Sequence, residues 1–452
     1  MINLRKRGNF SHRVPVPARL ALGLALMVLV STLILLLPPV GAERPLYPNE
    51  ALFTAVSALT VTGLSIINPS TDLSLLGQMV LLILIQIGGV GYMVAAVVIF
   101  RLLGRNISFT DRLALRDSFG LLDMNDILTL TRRVLATVIT LELIGAILLW
   151  FHWRADLGPG RAVIFAIFHS VSAFCNAGFD LFAGIQGFNG IPSDTFSLAV
   201  MGTLIFIGGL GIPVVTDILL VLIRSRRVLS LHSRLTLLIT GFLIILGSVG
   251  LFFPETQPGG TLSELPLNRA ITISVFQSIS ARTAGFSAID DFYDLASSSQ
   301  LLKITLMFIG TAPASMGGGI TTSTLVVLLL GFWAFARGRE TPHIFGRSLG
   351  AATMRRASAV LTISLAVVIS VTWLLLITHP GASLDHVLFE VISAFATCGL
   401  SLGYTSNLSI FGQAIICLVM FWGRLGAITI IMALAQLAPP RLVAFPEEQI
   451  LM

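Results

Sequence analysis

The sequence predicts an all-α membrane protein of four pseudo-symmetric helix–loop–helix repeats around one central axis, with eight transmembrane helices and four shorter re-entrant helices. Two observations lead to this prediction: the chain is very apolar, and one short motif recurs four times between its apolar segments. The 452 residues are 55% hydrophobic and only 11% charged, with a mean hydropathy of +0.93. A soluble protein normally carries about 25% charged residues. Lipid is therefore the expected solvent.

Eight segments are apolar and long enough to cross a bilayer as helices, for which roughly 20 residues suffice. They are residues 20–37, 75–100, 134–150, 196–223, 235–253, 301–335, 359–377 and 410–437. An even number of spans predicts that both termini lie on the same side. The first span is too long for the apolar core of a cleavable signal peptide, and a poor cleavage site follows it.

The basic residues predict on which side the termini lie. Of 28 Lys and Arg residues, 21 fall in the N-terminal arm, in the loops 101–133, 224–234 and 337–356, and in the tail. The positive-inside rule then predicts cytoplasmic termini. Nucleic-acid binding is the competing interpretation of a pI near 9.8. We expect no nucleic-acid partner, because these residues alternate with spans instead of forming one patch.

The residue types that carry catalysis or bind transition metals are sparse. Cys175, Cys398 and Cys417 lie in apolar context without the spacing of a metal site or a disulfide framework. The spans contain no HExxH, no GxSxG and no carboxylate pair. His169 is expected to be a packed, hydrogen-bonding histidine. We therefore expect no enzyme, no transition-metal site and no cofactor in this chain.

The recurring motif is Ser-Ala followed, five or six residues after the serine, by a glycine and a bulky apolar residue. Its glycines are Gly63, Gly178, Gly285 and Gly399, which recur every 107 to 115 residues. A fixed period of this kind marks an internal repeat. The segments before the glycines are amphiphilic and only about three turns long, which is too short to span a bilayer.

Two interpretations of these short segments are open: interfacial helices outside the bilayer, or re-entrant helices followed by an extended strand. Non-helical backbone at membrane depth is tolerated only where it is buried in protein or lines water, so four such strands predict one central pore. Glycine reaches the left-handed backbone regions that let every carbonyl point at the axis. Rings of carbonyl oxygens can replace the hydration shell of a cation.

The four segments resemble the filter segments of the Trk/Ktr/HKT superfamily of potassium transporters. With one span before the first segment, the similarity is closest to the bacterial Ktr membrane subunit. The matching residues are Thr60, Val61, Thr62 and Gly63; Cys175, Asn176, Ala177 and Gly178; Arg282, Thr283, Ala284 and Gly285; and Ala396, Thr397, Cys398 and Gly399.

This resemblance implies that K⁺ crosses the membrane through a backbone-carbonyl filter in a homodimer with one pore per protomer. It also implies a cytosolic ring of RCK-type regulatory subunits that bind a nucleotide. Activation by Na⁺ is common among Ktr systems and stays open here. A cation-coupled secondary transporter with a midplane binding site is the alternative.

Two features inside the spans are candidates for a gate. The sixth span is interrupted at 308–323 by a proline and by Gly317, Gly318 and Gly319, a composition that does not sustain a helix. It is either a kink for close packing or an unwound loop, and the resemblance implies a loop that occludes the pore. Arg424 lies within the last span, where a charge is costly. It either bonds to backbone carbonyls or projects into the pore as a barrier to cations, and the resemblance implies the second role.

Other residues carry less specific expectations. Arg282 is expected to turn away from the filter and brace the strands from behind, Lys303 to snorkel to the outer surface, and Glu142 to need a partner that the sequence does not name. The glycine clusters 88–91, 208–211 and 423–426 are expected to allow close helix packing. The loops 101–133 and 337–356 could be solvated, contact anionic lipid or dock a regulatory ring.

The expected organisation follows the repeats. Residues 1–19 form a cytoplasmic arm, 20–105 the first repeat, 106–226 a linker helix region with the second repeat, 227–338 the third repeat with a broken second helix, 339–438 the fourth repeat, and 439–452 a cytoplasmic tail.

Overall fold

The computed structural model describes residues 16–91, 127–184, 188, 190–222, 228–290, 292–339 and 341–426. These residues are mostly helical, as the sequence predicts. The strands in this part of the chain are His343–Ile344 (β1) and Arg347–Ser348 (β2), which form a small antiparallel pair. Most of the predicted N-terminal arm and of the basic loop 101–133, the ends of the second and eighth spans, and the tail lie outside the described residues.

The described α-helices, in chain order, are α1 (Val16–Leu35), α2 (Pro48–Thr60), α3 (Leu75–Val90), α4 (Ile127–Leu157), α5 (Pro159–Phe174), α6 (Thr195–Leu210), α7 (Ile212–Leu222), α8 (Leu231–Glu255), α9 (Leu267–Ser280), α10 (Ser297–Ile309), α11 (Thr322–Ala336), α12 (Ala351–Thr378), α13 (Leu384–Phe395) and α14 (Ile410–Leu425). Short 3₁₀ turns lie at Pro38–Val40, Phe292–Asp294 and Thr405–Asn407.

Several helices carry the length and apolarity of membrane spans. By length and composition, α8, α12 and the Val134–Leu157 part of α4 can each cross a bilayer alone, and the bent pair α6–α7 makes a fourth candidate. Leu22, Ile245, Phe332 and Trp373 are among the many large apolar side chains on the outer surface. Exposed apolar surface on this scale requires lipid as solvent, and the chain is therefore a multi-pass membrane protein.

At least half of the residues in each of the four short helices α2, α5, α9 and α13 are buried. Pro48 and Pro159 stand in the first turns of α2 and α5, where the missing N–H would have no acceptor within the helix. The helices that follow in the first, second and fourth repeats are capped by Ser74, Asp194 and Ser409, whose side chains accept a backbone N–H of the first turn.

Contacts between the repeats run in one direction around the molecule. Helix α3, which follows α2, packs on α5; α6 packs on α9; α10 packs on α13; and α14 packs back on α2. Each second helix therefore contacts the short helix of the next repeat, and the last contacts that of the first. The ends of all four short helices meet at the centre of this ring of contacts.

The prediction of the fourth span as one continuous helix over 196–223 is wrong. Helix α6 ends at Leu210, Gly211 has φ +83°, and α7 leaves at 102° to α6. Such a φ is open to glycine and strained for other residues. Gly91, Gly310 and Gly426 end α3, α10 and α14 in the same way, with φ between +64° and +95°. The sequence predicts a break in the third repeat alone, whereas the second helix of every repeat ends at a glycine of positive φ.

Candidate functional site

Four short loops follow the C-terminal ends of the four short helices, and their backbones share one conformation. We name them loop 1 (61–64), loop 2 (176–179), loop 3 (283–286) and loop 4 (397–400). The first residue of each loop is left-handed: Val61, Asn176, Thr283 and Thr397 have φ between +50° and +71°. The glycines, two positions later, have φ between +69° and +94°. Left-handed β-branched residues cost about 1–3 kcal/mol each, so the surrounding packing must impose this shape.

The loops lie edge to edge in a closed ring. A Cβ added at each glycine would collide with the carbonyl oxygen of the residue that precedes the next glycine. The collisions run from Gly63 to Ala177, from Gly178 to Ala284, from Gly285 to Cys398 and from Gly399 to Thr62. The order therefore closes on itself, and only a residue without a side chain fits at these four places.

The recurring serine fastens each loop to its own helix. Ser57 Oγ accepts the Gly63 N–H at 3.0 Å, and Ser393 Oγ accepts the Gly399 N–H at 3.1 Å. In the second and third repeats the equivalent hydroxyls instead donate to the carbonyl after the glycine: Ser172 to Phe179 at 3.0 Å and Ser280 to Phe286 at 2.6 Å. The serine hydroxyls thus fix the direction of the loop backbone.

In each loop, the three carbonyl groups from its first residue to its glycine have no hydrogen-bond partner in the described part of the chain. Backbone N–H groups of Thr62, Ala177, Ala284 and Cys398 donate back to the helix serine at 2.7 to 2.9 Å. Buried carbonyls are almost always paired. A ring of unpaired carbonyls is suited to binding a dehydrated cation.

A glycine-rich loop (residues 310–321) joins α10 to α11 and lies directly against loops 3 and 4. A Cβ on Gly317 would meet Thr283 Oγ1, and one on Gly318 would meet Thr397 Oγ1 at 2.6 Å. Both threonine hydroxyls are buried without a hydrogen-bond partner among the described residues. Gly319 has φ +78°. The unwound loop predicted at this place is present, since the backbone between Gly310 and Thr321 is not helical.

The glycine-rich loop is fastened to the break between α6 and α7. The Ala312 N–H donates to Gly209 O at 3.2 Å, and the Met316 N–H donates to Gly208 O at 3.3 Å. In return the Ile212 N–H donates to Ala314 O at 3.1 Å. The break in the second repeat therefore supplies the backbone groups that hold the loop of the third.

Arg424 connects this loop to the first repeat. Its Nη1 donates to Met316 O, and its Nη2 donates to Gly88 O and, at 3.3 Å, to Gly89 O. The half-buried guanidinium thus bonds to backbone carbonyls, which is the first of the two alternatives for this residue. Its action as a barrier to cations stays a prediction.

Three other charged residues have defined surroundings. Arg282 is buried and its Nε and Nη2 donate to Gly310 O at 3.3 and 3.1 Å, so its side chain points at the end of α10. The snorkelling predicted for Lys303 is wrong: the side chain is fully buried and its Nζ donates to Gln277 at 2.7 Å. Glu142 finds the partner that the sequence leaves unnamed, since Gln86 Nε2 donates to it at 3.1 Å.

The glycine clusters make close contacts at the ends of the short helices. A Cβ on Gly88 would meet Leu59 O, one on Gly208 would meet Phe174 O, and one on Gly423 would meet Phe395 O. His169 is buried between Phe165 O and Asp180, as expected of a packed, hydrogen-bonding histidine. No group of three or more His, Cys, Asp or Glu residues able to hold a metal occurs within the described ranges.

Comparison with known proteins identifies the family. The TrkH family model, described as a cation transport protein, matches residues 25–442. The chain belongs to this family. The Ktr system potassium uptake protein B of Vibrio alginolyticus is 34% identical over 94% of this chain and 92% of its own length. The protein of the same name from Bacillus subtilis is 34% identical over 93% of each chain. The potassium/sodium uptake protein NtpJ of Enterococcus hirae is 33% identical over 89% of each.

A solved structure has the same fold. The crystal structure of the potassium transporter TrkH from Vibrio parahaemolyticus matches with a TM-score of 0.71, covering 94% of this chain and 86% of the other at 19% sequence identity. The resemblance inferred from the four motifs is therefore confirmed, and the relatives named above are ion transport proteins.

In this TrkH-family chain, sequence analysis named only His169 from a set of four polar residues beside the loops and missed that they occupy equivalent positions. Each short helix carries a polar residue directly after a phenylalanine, and these residues are Thr54, His169, Gln277 and Glu390. All four side chains are fully buried. Aligning the four repeats on their glycines places them at nearly one position, which is the signal that could have revealed them. Because the four residues differ in chemical type, comparing the repeats at this position alone does not suggest a shared role.

Proposed function

We propose that this protein takes up potassium across the inner membrane of a bacterial cell, by channel-like flow through a filter of backbone carbonyls. The observation that carries the proposal is the closed ring of four loops, in which the carbonyls from each first residue to each glycine have no partner among the described residues. K⁺ would be held by the carbonyls of the four filter segments, without a charged side chain. The names of the relatives, which are potassium uptake proteins, support the choice of ion.

The proposed architecture is the one that the sequence predicts: four helix–pore-loop–helix repeats, eight spans, four re-entrant pore helices and cytoplasmic termini. The contacts that pass from each second helix to the next short helix support it. The short helices aim their C-terminal ends at the ring, and the partial negative charge at a helix C-terminus favours a cation there. The proposed repeat boundaries are those given above, with repeats at 20–105, 106–226, 227–338 and 339–438.

The proposed gate is the glycine-rich loop together with Arg424. The loop lies against two filter loops, and Arg424 fastens it to the first repeat. Glycine-rich backbone rearranges at low cost, which suits a loop that must leave the pathway. The guanidinium adds a positive charge beside the pathway that would repel K⁺ until the loop moves.

The proposed assembly is a homodimer regulated by a cytosolic ring of RCK-type subunits that bind a nucleotide, with lipid around the spans. Sodium is proposed as an activator, and a relative named as a potassium/sodium uptake protein supports a role for that ion. The rival is a coupled secondary transporter, which the sharply bent pair α6–α7 favours because such transporters use broken helices. A fixed co-ion stoichiometry in purified protein would favour the rival.

The test is potassium uptake in cells that need an added potassium transporter to grow at low K⁺. We expect Gly63→Asp and Gly285→Asp to abolish uptake or its selectivity for K⁺ over Na⁺, because each side chain would strike a neighbouring filter loop. Gly259→Asp is the matched control: its φ is +86°, and a Cβ there meets nothing within 4 Å. Normal selective uptake in both filter variants would overturn the proposal.

A further inference from the structure

The outer end of each loop is closed by one polar side chain, two residues after the glycine. These residues are Ser65, Asp180, Ser287 and Ser401. Each accepts the backbone N–H of the residue two positions further on, at distances from 2.7 Å for Asp180 to 3.4 Å for Ser65. The same small turn therefore follows the glycine in all four repeats, and we name it the outer turn.

Loops 2, 3 and 4 are also joined at this turn to their own short helices. His169 Nε2 lies 2.9 Å from Asp180 Oδ1. Gln277 Nε2 donates to Ser287 Oγ at 3.1 Å. Ser401 Oγ donates to Glu390 Oε2 at 2.8 Å. The second carboxylate oxygen of this glutamate accepts a hydrogen bond from a further hydroxyl in the loop region.

The first repeat lacks this link. Thr54 stands at the equivalent position of α2, and its side chain is fully buried. Its Oγ1 has no hydrogen-bond partner within the described residues. Ser65 bonds instead within its own turn, donating to Ile67 O at 2.6 Å. Three of the four outer turns are therefore tied to a helix by side chains, and one is not.

In the third repeat a buried lysine sets the direction of the link. Lys303 Nζ donates to Gln277 Oε1 at 2.7 Å and lies 4.8 Å from the centre of the Phe292 ring. An amide has one acceptor oxygen and one donor nitrogen. Because the ammonium occupies the oxygen, the nitrogen must face Ser287. The lysine thereby fixes the rotation of the glutamine that holds loop 3.

We propose that the carbonyls at the outer ends of loops 2, 3 and 4 are held by three positioning residues, namely His169, Gln277 and Glu390. Lys303 in turn orients Gln277. Loop 1 is held without such a residue. The inference rests on the proposed filter function. Binding sites depend on supporting hydrogen bonds that keep the ligating groups within about 0.5 Å of their working positions.

The test uses purified full-length protein in liposomes, with tracer uptake of K⁺ measured against concentration and with Na⁺ as competitor. Gln277→Leu and Glu390→Leu remove the link with little change in volume, and Thr54→Val is the matched control in the unlinked repeat. We expect Gln277→Leu, which loses one hydrogen bond to the outer turn, to raise KM for K⁺ about three- to tenfold. Glu390→Leu loses two hydrogen bonds in the loop region and should raise KM at least as much. Their K⁺/Na⁺ discrimination should fall, and Thr54→Val should behave as wild type.

The role of Lys303 is tested by a double-mutant cycle with Gln277 and by a conservative substitution. Lys303→Met should raise KM to the same extent as Gln277→Leu, and the double variant should be no worse than either single variant. Lys303→Arg, which restores a donor, should recover part of the affinity. An unchanged KM in Lys303→Met, or effects on KM that add in the double variant, would refute the role of Lys303 in orienting Gln277.

Wild-type KM and discrimination in both Gln277→Leu and Glu390→Leu would overturn the inference, as would an equal change in Thr54→Val. If Gln277→Leu fails to run as a single species in detergent, Ser287→Ala removes the same hydrogen bond from the loop side, and Ser401→Ala does so for Glu390→Leu. Gly285→Asp separates the two proposals. If Gly285→Asp loses selectivity while Gln277→Leu and Glu390→Leu behave as wild type, only the positioning role is refuted. If Gly285→Asp retains selectivity, the filter itself is refuted.

Discussion

Replacing Arg424 with alanine tests how the glycine-rich loop is held. The guanidinium bonds to the loop through Met316 O and to α3 through Gly88 O and Gly89 O. A hydrogen bond to a charged group contributes about 1.5–3 kcal/mol. Only the bond to Met316 ties the loop directly, so Arg424→Ala removes that amount from the closed state. The ratio of closed to open loop should fall by about 10- to 150-fold.

The loop should nevertheless stay folded in this variant. Three backbone hydrogen bonds to the break between α6 and α7 do not involve the arginine. The measurement is tracer uptake into liposomes, where we expect the rate to rise at least about tenfold if the loop limits flow. Selectivity for K⁺ over Na⁺ should not change, because Arg424 bonds to none of the four filter loops.

Two controls make this prediction specific. Arg424→Lys keeps the charge, but a compact ammonium does not bridge two separate carbonyls, and an intermediate rate is expected. Arg161→Ala removes an exposed arginine from α5 and should behave as wild type. Unchanged uptake in correctly inserted Arg424→Ala would refute the reasoning, and so would a loss of selectivity without a gain in rate.

Two further predictions concern stability, measured as thermal unfolding in detergent. Gly208→Ala should destabilise the folded protein by about 1–3 kcal/mol because the added Cβ would strike Phe174 O. Gly202→Ala is the control and should be neutral or stabilising, because a Cβ there would lie 3.5 Å from its nearest neighbour. A stabilised Gly208→Ala would contradict this prediction. The Arg44 guanidinium bonds to the Glu50 carboxylate at 2.7 Å and lowers its pKa. The ion pair therefore stabilises the folded protein at pH values above 4.5, the ordinary pKa of glutamate, and this stabilisation is lost as the pH falls through the pKa of folded Glu50. Glu50→Gln should therefore melt about 2 °C below wild type at pH 7 and at the same temperature in acid; a difference that persists in acid would count against the pair.

The candidate filter loops show how much of the site sequence reasoning predicts. The four glycines could be found from their spacing alone, and their role follows from a local rule, since only glycine takes these backbone angles where a neighbour leaves no room for a Cβ. The break in the third repeat was likewise local, because three successive glycines and a proline do not sustain a helix.

The second repeat marks the limit of that reasoning. Its glycines 208–211 allow either close packing or a broken helix, and both occur there: Gly208 packs on the end of α5, and Gly211 turns the chain by 102°. The choice depends on the loop of the third repeat, about 100 residues away in sequence, which bonds to the carbonyls freed at the break.

Composition, period and backbone freedom are local properties, so the amino-acid sequence was enough to predict the lipid solvent, the repeated motif and the glycines of the candidate filter. The order in which the loops meet, the carbonyls that Arg424 joins and the burial of Lys303 depend on how distant segments pack. A long side chain near the end of a span would ordinarily reach for water. Lys303 stays inside because Gln277 and the Phe292 ring, brought together by folding, replace that water.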